Sequence, residues 1–482
     1  MPLRRPTPGA PDEPDGAPGL PIHAPRLISA PRLVTALRLV TAPRLVTAPR
    51  LVTAPQLVTP PRLVSAPRLI SAPRLISAPR VIPATPGSGV LTPGYVAMAG
   101  GLITEVGEGL PPRPPDLVLD SGVLVPGFVD LQVNGYFGTE LMTAGAAGWE
   151  LVARRLPETG TTAFLPTFIT APLAELTVAL RVAAAITAVL PPAGARVLGV
   201  HLEGPFISPG RRGAHNQSWI IPPSPAAVDE LLAAGSGLVS LVTLAPERDG
   251  GLAAVEQLTA AGVLVSVGHS DATARQVAAA ASAGARMVTH LYNAQRPLHH
   301  REPGVVGQAL TDPRLTSGLI ADLRHVAAQA CAIAFAAAPG RICLVTDAAA
   351  CAGMPPGSYL LGGEPIELPP WDAEPPGAGQ LPWDAEPPGA GQLPWDAEPP
   401  VRADGTLAGS ALRMDASVAN MVAAGMDLAT VIAAASRVPA DLIGRPDLGR
   451  IAPGAAADLA WLGDDLRTAA TWVRGEKVYP AR

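Results

Sequence analysis

Eight short apolar runs, rich in β-branched residues, recur between residues 125 and 348: 125–133, 161–169, 195–203, 238–246, 263–270, 286–293, 317–325 and 341–348. Most of the gaps hold alanine-rich amphipathic stretches such as AELTVALRVAAAITAVL and ATARQVAAAASAG. Strand-length runs that alternate with helical patterns bury both faces when helices cross over parallel strands. Eight such units predict an α/β fold, a (β/α)8 barrel. Its interior must be mainly aliphatic, because hydrophobic residues make up 48% of the chain and aromatic residues only 4%.

Two tracts break this rhythm. Between residues 25 and 82 a six-residue unit recurs as PRLVTA, PRLVSA or PRLISA, and from 368 to 400 LPWDAEPPGAGQ recurs every twelve residues. A proline every six residues fixes φ and removes a donor, so the first tract is expected as an extended arm, neither a helix nor an interior strand. The second reads as an expanded surface loop. Neither is expected to take part in chemistry. Near 94–109, GYVAMAGGLITEVGEG reads as a β-hairpin turned by Ala-Gly-Gly, and IAPGAAADLAWLG and TAATWVRGEKVYP read as short C-terminal strands. The expected organisation is an arm (1–80), a small β-sandwich built from both chain ends (81–125 and 446–482), the barrel (126–367), the repeat loop (368–400) and the end of the catalytic domain (401–445).

Several function classes are disfavoured. The net charge is −5 and Lys477 is the only lysine, so no basic stripe tracks nucleic acid. Pro, Arg or Asp interrupts every apolar run before the roughly 18 residues a membrane span needs, and the N-terminus carries no export pattern. Cys331, Cys343 and Cys351 are odd in number and lack CxxC spacing, which suits reduced core thiols and a cytoplasmic location.

Polar residues gather where the strands end. Glu203 closes HLE, His269 follows in GHSDAT, His290 in THLYNA and Asp347 in LVTDA. In a barrel of this kind the C-terminal strand ends carry catalysis. One carboxylate and two imidazoles from different strands suit a divalent metal with a position left for water. Such an ion lowers the pKa of water from 15.7 to about 7. Asp347 is then expected opposite the metal as general base, and afterwards as general acid for a leaving amine.

Together PGFVDLQVNG (126–135), GTTAFLPTFIT (160–170), HLEGPFISP (201–209), GHSDAT (268–273), THLYNA (289–294), REPG (301–304), LVTDA (344–348) and DGTLAGS (404–410) make the chain resemble the N-acetylglucosamine-6-phosphate deacetylases of the amidohydrolase superfamily. The resemblance covers nearly everything outside the two tracts. It implies metal ligation by Glu203, His269 and His290, and acid/base catalysis by Asp347. It also implies substrate contacts from Ala214, His215, Asn293, Ala294, Arg301, His325, Leu407, Ala408 and Gly409. Arg301 and His325 are the expected phosphate binders, and His215 either polarises the acetamide carbonyl or holds a sugar hydroxyl. Because the arginine can come from a neighbouring subunit in such enzymes, a homodimer is expected.

Two departures matter. Many amidohydrolases place HxH at the end of strand one, whereas here Gln132, Val133 and Asn134 stand there. Neutral amides bind metal weakly, so one divalent ion is expected, zinc in preference to iron, with the second position vacant. DLRH places Leu323 where the family usually has glycine before His325, on a turn expected to face the phosphate. The expected substrate is a phosphorylated amino sugar, N-acetylglucosamine 6-phosphate. The alternatives are its galacto epimer, or an inactive barrel that serves as a scaffold.

Overall fold

A computed structural model describes residues 75–191, 193–370 and 398–480. The barrel strands are Phe128–Val133, Thr161–Ile169, Val200–Glu203, Val239–Leu244, Leu264–Val267, Met287–Val288, Thr316–Ile320 and Ile342–Val345. They pair in parallel, in chain order. All nine residues of Thr161–Ile169 are buried, as a strand covered on both faces requires. The run at 195–203 is broken: Arg196–Val197 is a separate short strand, and Gly199 adopts a φ of 142° before the chain resumes at Val200.

Strands eight and one close the barrel directly. Asp347 N–H donates to the Gln132 carbonyl at 2.9 Å, and Asn134 N–H donates to the Ala348 carbonyl at 2.8 Å. Just below, Asp130 accepts from the Thr346 hydroxyl at 2.6 Å. Two of the helices on the outer face start on caps that the sequence supplies. Ser224 caps Pro225–Gly235, with proline at the first helical position. Thr273 and Gln276 form a capping box on Ala274–Ala283.

Both chain ends contribute to the sandwich. One sheet orders Leu102–Glu108, Gly94–Ala99, Leu75–Ala78 and Leu117–Val118; the other orders Glu476–Tyr479, Thr468–Val473, Leu459–Leu462 and Val123–Pro126. Between them Ile76, Val96, Ile103, Leu124, Leu459 and Trp472 form one buried cluster. The predicted hairpin turns at Gly100 and Gly101, at φ of 60° and 80°. Both central residues are left-handed, which a two-residue turn matched to strand twist requires.

The last hexapeptide copy departs from expectation. Leu75–Ala78 pairs with Gly94–Ala99 on one side and Leu117–Val118 on the other, so it is an interior strand. The four residues LISA lie between Pro73 and Pro79, so every residue that must donate to a ladder keeps its N–H. The fold therefore begins before residue 80. Residues 25–74 of that tract, and residues 371–397 of the twelve-residue repeats, lie outside the described residues. Immediately before the latter comes a hairpin unread in the sequence, Gly357–Leu361 with Glu364–Leu368, turned by Gly362 and Gly363. No described helix is long and apolar enough to cross a membrane.

Candidate active site

Glu203 ends its strand, and His269, His290 and Asp347 each stand two residues beyond the end of theirs. Those three residues share left-handed backbone, with φ of 46°, 27° and 52°. Such backbone is costly for a residue with a Cβ and is held in place by its surroundings. It turns each side chain inward over the barrel mouth, and their regular spacing made them legible as a set.

One ligand atom each from Glu203, His269 and His290 lies within 4.8 Å of the others, the one such His/Cys/Asp/Glu group among the described residues. Glu203 Oε1 faces His290 Nε2 at 2.9 Å and His269 Nε2 at 3.2 Å, and the two nitrogens are 3.1 Å apart. The Nδ1 of His269 meets the Arg211 carbonyl at 2.9 Å. A carbonyl only accepts, so Nδ1 carries the proton and the lone pair of Nε2 points at Glu203 and His290, as a metal ligand requires. The residues therefore fit a divalent ion.

Burial alone would raise the Glu203 carboxyl, but the adjacent His269 and His290 rings hold it well below the ordinary range. Burial opposes charge on His290, and its bond to Glu203 nevertheless raises it. Asp347 is pushed up to about 7, first by burial and then by the charge of Glu203, against the pull of His290, His325 and Asn134. A carboxyl titrating near neutrality can both take and return a proton.

His215 is buried, and burial followed by the proximity of His269 holds it well below the ordinary imidazole value, so it is neutral. Thr170 N–H donates to its Nδ1 at 3.3 Å. The Thr170 hydroxyl lies closer to the same Nδ1, at 2.7 Å, and Nε2 lies 3.9 Å from Glu203 Oε2. His325 differs. Burial disfavours its charge, but Asp322 raises it. Asp322 Oδ2 meets its Nδ1 at 2.6 Å, and Asp322 Oδ1 accepts its backbone N–H at 2.8 Å. Leu323, inside this turn, has a φ of 62°, so the position does demand the left-handed backbone that glycine adopts freely.

One cavity of about 250 Å³ collects Asn134, Glu203, Ala214, His215, His269, His290, Asn293, Ala294, His325, Asp347, Leu407 and Gly409. Ala408 is buried behind that wall, in the cluster around Ile169 and Ile366. Arg301 is exposed and does not line its own chain's cavity. Gln132 stays beneath, donating to Glu203 Oε1 at 3.1 Å and Asp347 Oδ1 at 2.9 Å. Sequence reading missed Ile169, Gly213, Ile320, Leu361 and Thr406 in the lining. Leu361 was findable only through the Gly-Gly turn of its hairpin; Gly213 stands directly before Ala214, and the others are apolar or hydroxyl residues without a chemical signature.

A Glu/His/His cluster opposed by an aspartate at the C-terminal mouth of a (β/α)8 barrel defines a metal-dependent hydrolase. Residues 123–348 and 401–478 match the amidohydrolase family, and the chain belongs to it. It is 37% identical over 361 residues to N-acetylgalactosamine-6-phosphate deacetylase of Escherichia coli O157:H7, covering 74% of this chain and 88% of that one. It is also 37% identical over 375 residues to N-acetylglucosamine-6-phosphate deacetylase of Bos taurus, covering 74% and 83%. The crystal structure of N-acetyl-D-glucosamine-6-phosphate deacetylase from Mycobacterium smegmatis superposes with a TM-score of 0.72 at 34% identity, covering 84% of this chain and 99% of that one. A mutant of that enzyme, in complex with N-acetyl-D-glucosamine-6-phosphate, gives 0.73 at 33% with the same coverage. The family implies a divalent metal.

Proposed function

We propose that this enzyme hydrolyses the acetamide of N-acetylglucosamine 6-phosphate, giving glucosamine 6-phosphate and acetate. The observation that carries the reading is that one cavity is lined by the Glu203–His269–His290 cluster, by Asp347 and by His325, whose imidazole Asp322 holds above its ordinary value against burial. That combination suits a substrate with both a scissile amide and a phosphate. Relatives and solved neighbours carrying this substrate's name support the choice.

Glu203, His269 and His290 would hold one ion, zinc being the best match to a carboxylate–imidazole set and iron the next. When bound, it would make water nucleophilic at neutral pH and place positive charge near the reacting carbonyl. Asp347 Oδ2 takes a proton from the attacking water as the water oxygen bonds to the acetamide carbon. His215 donates its Nε2–H to the carbonyl oxygen as negative charge develops there. Asp347 then delivers the proton to the sugar nitrogen as the C–N bond breaks. Acetate and the amino sugar leave, and Asp347 is again a carboxylate.

Asn293, Ala294, Ala214, Leu407 and Gly409 contact the sugar, and His325 the phosphate; Ala408, buried behind the wall, supports them. Arg301, exposed and outside its own cavity, fits a role on the phosphate of a neighbouring subunit in a homodimer. Three buried free thiols suit a cytoplasmic location.

The test is acetate release by zinc-loaded protein from the gluco and galacto 6-phosphates, compared as kcat/KM. The gluco substrate is expected to have the higher ratio. A higher ratio for the galacto epimer, or no acetate from either, refutes the reading.

A further inference from the structure

The strand-five loop that carries His269 is fastened to the strand-three loop by the Ser208 N–H, which donates to the His269 carbonyl at 2.8 Å, and at two further points through Arg211. At the first, His269 Nδ1–H donates to the Arg211 carbonyl at 2.9 Å. At the second, the Arg211 side chain returns to the same loop: its Nε lies 2.9 Å and its terminal nitrogen 2.8 Å from Asp271 Oδ1. Carbonyl, imidazole, Asp271 carboxylate and Arg211 guanidinium therefore form a closed ring, and Arg211 cannot turn its carbonyl away without breaking an ion pair.

Asp271 is itself fixed from two further sides. Arg296, on the strand-six loop, donates to Asp271 Oδ2 and to its carbonyl, both at 2.7 Å. Glu247, after strand four, accepts the Asp271 N–H at 2.6 Å and the Ser270 hydroxyl at 2.7 Å. The carboxylate thus sits where four active-site loops meet, and it has no place in the hydrolysis derived above.

We propose that Asp271 is a positioning residue for the metal. By holding Arg211, it keeps the Arg211 carbonyl on His269 Nδ1 and the Nε2 lone pair aimed at the ion. The inference rests on the metal reading of Glu203, His269 and His290. It goes beyond that reading by locating part of the metal affinity in a charged clamp two residues from the ligand. Polar partners behind a ligating histidine typically account for about 10–100-fold in metal affinity. Acting through one intervening carbonyl, Asp271 belongs at the lower end, about 10-fold. The side chains of Asp271, Arg211 and Arg296 are 40%, 35% and 33% exposed, so the clamp is within reach of screening ions.

The experiment measures zinc affinity by chelator competition for the full chain and for Asp271→Ala, Arg211→Ala and the double variant, at low and high salt, with thermal unfolding of each metal-free protein alongside. Expected results are about 10-fold weaker zinc binding in each single variant and no further loss in the double, since both cut one ring. High salt is expected to weaken zinc binding by the wild type but not by Asp271→Ala. Near-wild-type kcat at saturating zinc is also expected, with metal-free unfolding temperatures alike. Unchanged zinc affinity in Asp271→Ala, beside a wild type that binds zinc one to one, overturns this inference alone. Strictly additive single variants, or losses matched by lower metal-free stability, overturn it too. A wild type that binds no zinc overturns the metal reading and this inference with it.

Discussion

The side-chain N–H of Asn134 donates to Oδ1 of Asp347 at 2.7 Å, and Gln132 donates to the same oxygen at 2.9 Å. Two neutral donors thus engage one carboxylate oxygen and leave Oδ2 as the oxygen that exchanges protons. The N–H of Asn134 favours the ionised form of Asp347, against the burial that pushes it up to about 7. The base works ionised, so kcat/KM is lost as pH falls through its pKa. Asn134→Ala removes a stabilising donor and is expected to move that acid limb to higher pH. A pH profile of the two proteins checks it; an unmoved or downward-shifted limb refutes the role. A hydrogen bond to a charged group is worth about 1.5–3 kcal/mol.

Metal binding and stability are linked through Glu203. A ligand that binds only the folded chain, at about 100 times its Kd, stabilises it by about 2.7 kcal/mol. Zinc is expected to raise the unfolding temperature of the wild type accordingly, and Glu203→Gln to abolish both the shift and the bound ion. Metal analysis and thermal unfolding together decide the matter; a Glu203→Gln protein that keeps stoichiometric zinc contradicts the assignment.

How much of this was legible without coordinates differs by residue. The strands, and with them Glu203, His269, His290 and Asp347, could be read because an apolar period ends each time in a polar residue. The strand Leu75–Ala78 was hidden by the tract it closes, since its proline period argued for an arm while its four residues between prolines sufficed for a ladder. The ring through Arg211 and Asp271 joins residues 60 apart in the chain, and nothing local in either segment marks them as partners. Leu361 reaches the cavity on a hairpin whose apolar residues look like those of any edge strand.

His215 is predicted to act on the transition state and not on substrate binding. Its ring is held from behind by Thr170, whose hydroxyl lies 2.7 Å and whose N–H lies 3.3 Å from Nδ1. Removal of one preorganised donor to a developing oxyanion lowers kcat by about 100–1,000-fold. His215→Ala is therefore expected to show that loss with KM within a few-fold of wild type. A variant with intact kcat and a raised KM shows that His215 holds a sugar hydroxyl instead.

His325 is expected to govern phosphate affinity. Asp322 raises its pKa above the ordinary imidazole value against the effect of burial. The cationic form binds phosphate, so affinity is present below that raised pKa and declines as pH rises through it. His325→Gln is expected to raise KM for the 6-phosphate about 10–100-fold, the loss of one charged hydrogen bond, and to flatten the alkaline rise in KM. Steady-state kinetics across pH check this; an unchanged KM refutes it.

The central claim is that Asp347 carries the proton transfers of a metal-dependent deacetylation, and the most direct measurement is acetate release from N-acetylglucosamine 6-phosphate by zinc-loaded Asp347→Asn. The asparagine keeps the size of the side chain but cannot shuttle a proton. With bound zinc confirmed as equal to wild type, kcat is expected to fall by about 100–10,000-fold, the usual contribution of a positioned acid/base. A variant that turns over within a few-fold of wild type contradicts the account.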